Sequence, residues 1–145
     1  MASIIDISKM RVQLHAADWR EAIILSGQVL EEIGSITHEY TENMIRAVEE
    51  MGPYMVIMPG FAIAHAAPCP AVLKEDLALI TLAEPICFGS PNDPVTTILC
   101  VACIDRDSHM RALQTVAEAL CGDGVMENLA KAQTVEELHA VLHGA

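Results

Sequence analysis

The side chains best suited to chemistry in this chain are two histidines. His65 closes the segment Gly52-Pro-Tyr-Met-Val-Ile-Met-Pro-Gly-Phe-Ala-Ile-Ala-His65, which Ala66-Ala67-Pro68 follows. A buried extended stretch is expected to end at Pro59-Gly60, and a second short one to carry His65 into a proline-bounded turn. The alanines around the ring leave space for a reactant, although a core histidine bonded to backbone fits the same pattern. His109 follows Ile104-Asp-Arg-Asp-Ser108, just past the end of an expected strand and in the first turn of an expected helix. A helix start offers unpaired amides and partial positive charge, which suits an anion. The C-terminal end of a strand in a covered sheet is also where ligands usually sit. Two histidines brought in from two strand ends could therefore hold a phosphoryl group, whereas alone His109 reads as a solvated first-turn residue.

Other candidates carry less. His139 and His143 stand four apart on the last helix, a metal-ligand spacing with no third ligand in view. Cys100 and Cys103 form a C-x-x-C, but inside Val95–Ile104, which reads as a strand. Residues three apart on a strand point to opposite faces, so the two thiols diverge. With Cys69, Cys87 and Cys121 the cysteine count is five, an odd number that suits free, mostly buried thiols in a reducing cytoplasm. No phosphate-binding loop, serine-nucleophile elbow or zinc-protease motif is present. Glu31/Glu32 and Glu49/Glu50 lie at helix ends and read as solvated.

The elements that position these residues follow from periodicity. Met10–Leu14 suits an edge strand. A helix over about 17–33 places Trp19, Ala22, Ile23, Leu30 and Ile33 on one face, starts near Asp18 and stops at Gly34. Thr37 opens a second helix that ends at Gly52-Pro53. Three apolar stretches follow, Tyr54–Met58, Leu77–Leu82 and Val95–Ile104, so nearly free of charge that both sheet faces should be covered. Glu84–Asn92, with Pro85, Gly89 and Pro91, is expected to be loop or short extended pieces. From Ser108 a helix should carry Met110, Leu113, Val116, Ala117 and Leu120 on one stripe, with Asp107 or Ser108 as its cap. A short helix over about 125–131 and a last one over 134–142, with Thr134 and Glu137 as a capping box, complete the chain. The connections are too short for every strand neighbour to be a parallel crossover. The expected fold is thus a single α/β domain over 1–145, a mixed sheet with helices on both faces.

Bulk properties narrow the function. The chain has 145 residues, 52% apolar and 19% charged, enough for one self-supporting core and unlike a disordered tail. Aromatics are 3% and net charge is −12, which argues against base stacking and against a phosphate backbone as partner. Acidity favours a partner with a basic patch. Mean hydropathy is +0.36, yet the longest uncharged run, Met51–Leu73, holds four prolines and cannot cross a membrane as one helix. No signal peptide is visible, so a cytoplasmic protein is expected.

Taken in order, the motifs resemble one family. Asp18-Trp-Arg-Glu-Ala-Ile23, Tyr40, Gly52-Pro-Tyr with Pro59-Gly-x-Ala-x-x-His65, Leu77-Ala-Leu-Ile-Thr-Leu-Ala-Glu-Pro85, Asn92-Asp-Pro-Val95 and Asp107-Ser-His109 span nearly the whole chain. They are similar to the enzyme IIA component of the bacterial sugar phosphotransferase system, mannitol/fructose type, most similar to its ascorbate branch. The resemblance implies a mixed sheet flanked by helices and a phosphoryl relay. HPr would donate to His65, which would pass the group to an enzyme IIB, by cysteine in the ascorbate branch, for a separate membrane enzyme IIC. His109 would neighbour His65, and no metal or cofactor is implied. The family often has Pro before the histidine and Arg or Gly in the two residues after it; here these are Ala64, Ala66 and Ala67. Arg106, Arg111 and Arg46 are candidates to hold phosphate in that arginine's place, with Ser108 at the helix start. A regulatory or degenerate module that signals by His65 phosphorylation is the alternative. An apolar stripe on the first or last helix could support a homodimer.

Overall fold

A computed structural model describes residues 5–120 and 122–143, apart from the side chains at 106, 108, 109 and 112. After a 3-10 turn at Ile7–Lys9 come β1 (Met10–Leu14), α1 (Trp19–Ile33), α2 (His38–Met51), β2 (Val56–Met58) and β3 (Phe61–Ala64). β4 (Asp76–Ile86), β5 (Val95–Ala102), α3 (Arg106–Leu120), α4 (Val125–Lys131) and α5 (Val135–His143) follow. One five-stranded sheet runs β1-β4-β5-β3-β2. β1 lies parallel to β4 and β3 parallel to β5, while β4–β5 and β2–β3 are antiparallel, so the sheet is mixed as expected.

Side-chain alternation along the central strands builds two cores. Ala62, Ala64, Ala78, Ile80, Ile98, Cys100 and Ala102 face the layer of α1 and α2. Phe61, Ile63, Leu79, Leu99, Val101 and Cys103 face the layer of α3, α4 and α5. Cys100 and Cys103 therefore sit in different cores, as their strand spacing requires. α1 starts where Asp18 Oδ1 accepts the Glu21 N–H at 2.9 Å and stops at Gly34, whose φ of 91° suits a residue without Cβ. α1 and α2 approach so closely that a Cβ on Gly27 would lie 2.5 Å from Thr41 Oγ1. At α5, Thr134 Oγ1 accepts the Glu137 N–H at 3.1 Å and Glu137 Oε2 accepts the Gln133 N–H at 2.8 Å.

Several boundaries differ from the sequence reading. β2 is a three-residue edge strand with Ile57 exposed, not a buried one, because among the described residues it pairs with β3 alone. β4 continues through Glu84-Pro85 to Ile86, into the span read as loop or short extended pieces. Proline is tolerated there because β1 pairs no further than Leu82, leaving that side of β4 open, and the register with β5 shifts between Thr81 and Ile86. β5 stops at Ala102 and α3 already begins at Arg106, so Asp107 and Ser108 lie inside its first turn instead of capping it. Met110 is exposed and does not join the buried stripe. Cys100 and Cys103 are buried, but Cys87, just past the end of β4, is exposed and Cys69 is half-buried; Cys121 lies outside the described residues. No described helix is long and apolar enough to cross a membrane.

Candidate active site

His65 is the first residue beyond β3, which runs parallel to β5 in the register Phe61↔Thr97 to Ala64↔Cys100. The C-terminal ends of β3 and β5 thus lie side by side at one end of the sheet. β5 then leads through a short turn into α3, with Asp107, Ser108 and His109 in its first turn. The fold places the backbone of these residues at the His65 end of the sheet, as the sequence suggested. The side chains of Arg106, Ser108 and His109 lie outside the described residues. Arg111, one turn further on, is exposed.

Strand alternation puts His65 on the face of Phe61 and Ile63. Those three, with Ile57, Met58, Leu113, Val116, Ala117 and Leu120, line an apolar cavity of about 300 Å³ between the β2–β3 edge and α3. The imidazole is only partly buried. Its Nδ1 lies 2.8 Å from the Ile63 carbonyl oxygen. A carbonyl can only accept, so Nδ1 carries the proton and donates, and the in-plane lone pair is on Nε2. Burial moves the His65 pKa below the ordinary 6.5, with the Ile63 bond opposing that shift. The ring is therefore held neutral, in one tautomer, at neutral pH.

Two tyrosines fix the backbone around it. Tyr40 of α2 is 1% exposed. Its hydroxyl donates to the Val101 carbonyl at 2.7 Å and accepts the Ala66 N–H at 3.0 Å, pegging the chain after His65 to β5. Burial holds the Tyr40 phenol well above its usual range, so it stays protonated. Tyr54 donates to the His65 carbonyl at 3.0 Å. On the other side of the His65 loop, Asn43, Arg46, Glu50, Tyr54, Ala66, Ala67 and Cys69 line a second cleft of about 290 Å³. Arg46 reaches Asn43 Oδ1 at 3.4 Å and faces the turn that carries Ala67. The structure thus brings Arg46 to the loop that follows His65.

The model of the "Phosphoenolpyruvate-dependent sugar phosphotransferase system, EIIA 2" family matches residues 3–144. The chain belongs to this family. Enzyme IIA components act as phosphotransferases that pass phosphate through a histidine, and so does this one. This enzyme IIA is 30% identical over 135 residues to the mannitol-specific cryptic phosphotransferase enzyme IIA component of Escherichia coli K12, covering 93% of this chain and 92% of the relative. It is 28% identical over 138 residues to the ascorbate-specific EIIA component of Salmonella typhimurium LT2, covering 94% and 90%. It superposes with a TM-score of 0.84 on the complex of mannitol enzyme IIA and phosphorylated enzyme IIB from Escherichia coli, covering 97% of this chain and 98% of that one at 23% identity.

The remaining candidates of this enzyme IIA serve the fold or its surface. His143 Nδ1 donates to the His139 carbonyl at 2.9 Å and its Nε2 accepts the Ile5 N–H at 3.3 Å, so both ring nitrogens are engaged by backbone. His15 pairs with Glu84, and His38 with Glu31 and Glu42. Asn92 and Asp93 lie at the opposite end of β3. The Asn92 carbonyl accepts the Gly60 N–H at 3.2 Å, and the Asp93 carboxylate accepts the N–H groups of Phe88, Gly89 and Ser90 at 2.7–2.9 Å. Tyr54 and the Ile63 carbonyl were not singled out for a role at the site by sequence reasoning. The only available signal was the Gly52-Pro-Tyr54 turn placed a hairpin before His65.

Proposed function

We propose that Nε2 of His65 carries the phosphoryl group, taking it from the phosphohistidine of HPr and passing it to an enzyme IIB. The observation that carries this reading is the Nδ1 bond to the Ile63 carbonyl, which leaves the nucleophilic lone pair on Nε2. That lone pair attacks phosphorus, the donor's P–N bond breaks, and the donor imidazole keeps the electron pair. Such transfer depends mainly on positioning and on stabilising charge on the three oxygens. The amides of the first turn of α3, with Ser108, Arg106 and His109, receive those oxygens from one side, and Arg46 from the α2 side. No metal is needed in this step. The net charge of −12 suits a donor with a basic face and speeds encounter more than it raises affinity.

The partner reading is supported by the structural relative solved with phosphorylated enzyme IIB. The sugar is ascorbate-like and enzyme IIB uses a cysteine, as the motif resemblance implies; the ascorbate-specific relative supports this branch. The protein works in the cytoplasm beside a membrane enzyme IIC. The test is incubation with HPr, its kinase and phosphoenolpyruvate. Wild type should gain acid-labile phosphate and His65→Ala none, and label retained by His65→Ala would sink the assignment. Passage of the label to an ascorbate-type enzyme IIB in preference to a mannitol-type one checks the branch. Stable label passed to no enzyme IIB would favour the regulatory alternative.

A further inference from the structure

We infer that Tyr54 is a positioning residue for His65, orienting the imidazole through its ring and anchoring the His65 peptide through its hydroxyl. The inference rests on the reading of His65 as the phosphoryl carrier. Tyr54 follows Gly52 and Pro53 in the turn leaving α2, where Gly52 adopts φ 83°, a left-handed conformation that favours glycine. From there its phenol stands perpendicular to the imidazole, with ring centroids 5.1 Å apart and planes at 88°, an edge-on geometry that is attractive between aromatic rings. Its hydroxyl donates to the His65 carbonyl at 3.0 Å.

These contacts close a frame. Tyr54 is bonded covalently to Met55, whose carbonyl accepts the Ile63 N–H at 2.9 Å. The Ile63 carbonyl accepts from His65 Nδ1 at 2.8 Å, and the His65 carbonyl returns to Tyr54. Turning the imidazole out of this position breaks the Nδ1 bond to Ile63 and changes its edge-on contact with the phenol. Tyr54 is 36% exposed, unlike Tyr40 at 1%, so core packing does not account for its placement. Its effect passes through the ring it holds.

The test compares Tyr54→Phe and Tyr54→Leu with wild type in two measurements. In phosphoryl transfer from phosphorylated HPr, the rate at saturating donor should fall roughly tenfold for Tyr54→Leu and about threefold for Tyr54→Phe, with KM little changed, as expected when a reacting group is loosely held. In nitrogen NMR of the unphosphorylated protein at neutral pH, wild type should show His65 in one tautomer and Tyr54→Leu a mixture, with Tyr54→Phe restoring most of the wild-type pattern. Wild-type saturating rates in Tyr54→Leu, a loss confined to KM, or a slower rate with the His65 tautomer unchanged would each overturn the inference. The NMR arm needs no phosphoryl donor. An unlabelled wild-type protein would therefore defeat the phosphohistidine reading, while an unchanged tautomer in Tyr54→Leu would still defeat this one.

Discussion

The two ends of β3 are held in different ways. At its start, backbone meets backbone: the Gly60 N–H donates to Asn92, and the Gly60 carbonyl accepts from the N–H groups of Thr96 and Thr97 at 2.9 and 3.1 Å. The neighbouring loop closes on the Asp93 carboxylate. At its end, side chains take over: Tyr40 and Tyr54 hold the peptides around His65, and the imidazole holds the strand's own Ile63 carbonyl. The first end is a clamp that fixes the β2–β3 hairpin against β5. The second leaves backbone outside the ladder and holds it with hydroxyls, which keeps a reactive ring partly exposed yet oriented.

Breaking the clamp should cost the most stability. Asp93→Ala removes three charge-assisted bonds and is expected to lower stability by about 2–3 kcal/mol. Denaturant melts measure this, and phosphoryl transfer by the remaining folded protein should be unchanged. Tyr40→Phe acts at the other end. It strands the Ala66 N–H and the Val101 carbonyl, costs about 1–3 kcal/mol, and should also slow transfer, since the chain beyond His65 is no longer pegged. A stability loss without a slower saturating rate would show that the peg serves only the fold. Arg46→Ala should leave the melt nearly unchanged and slow transfer about tenfold, equivalent to about 1.4 kcal/mol, if the arginine meets phosphoryl oxygens.

The smallest expected effect is on pH. Because burial lowers the His65 pKa below 6.5, the neutral nucleophile should persist to a lower pH than in an ordinary histidine. The rate of phosphoryl acceptance should fall with a midpoint below pH 6.5. Folding follows the same sign: between the lowered folded pKa and 6.5 the unfolded chain binds more protons, so this group destabilises the fold as pH falls through that window. A His65 titration by proton NMR midway at or above 6.5 would contradict both expectations.

Local sequence signals were enough for the helices, the mixed covered sheet, and the placement of His65 at a strand end and His109 in the first turn of a helix. Periodicity, glycine stops and runs of apolar residues are local signals, and these were strong from Trp19 to Gly52 and from Thr134 onward. The motif Asn92–Val95 was legible as a motif but not as a clamp, because its partner Gly60 is reached only when β3 and β5 align. β4 running through Pro85 was hidden for the same reason: proline fits there only because β1 ends opposite Leu82. Tertiary structure alone decided the tautomer of His65, which depends on a carbonyl two residues earlier pointing back at the ring. It also decided which tyrosine is buried and which stands beside the imidazole, since spacing along the chain carries no information about two hydroxyls converging on one peptide pair.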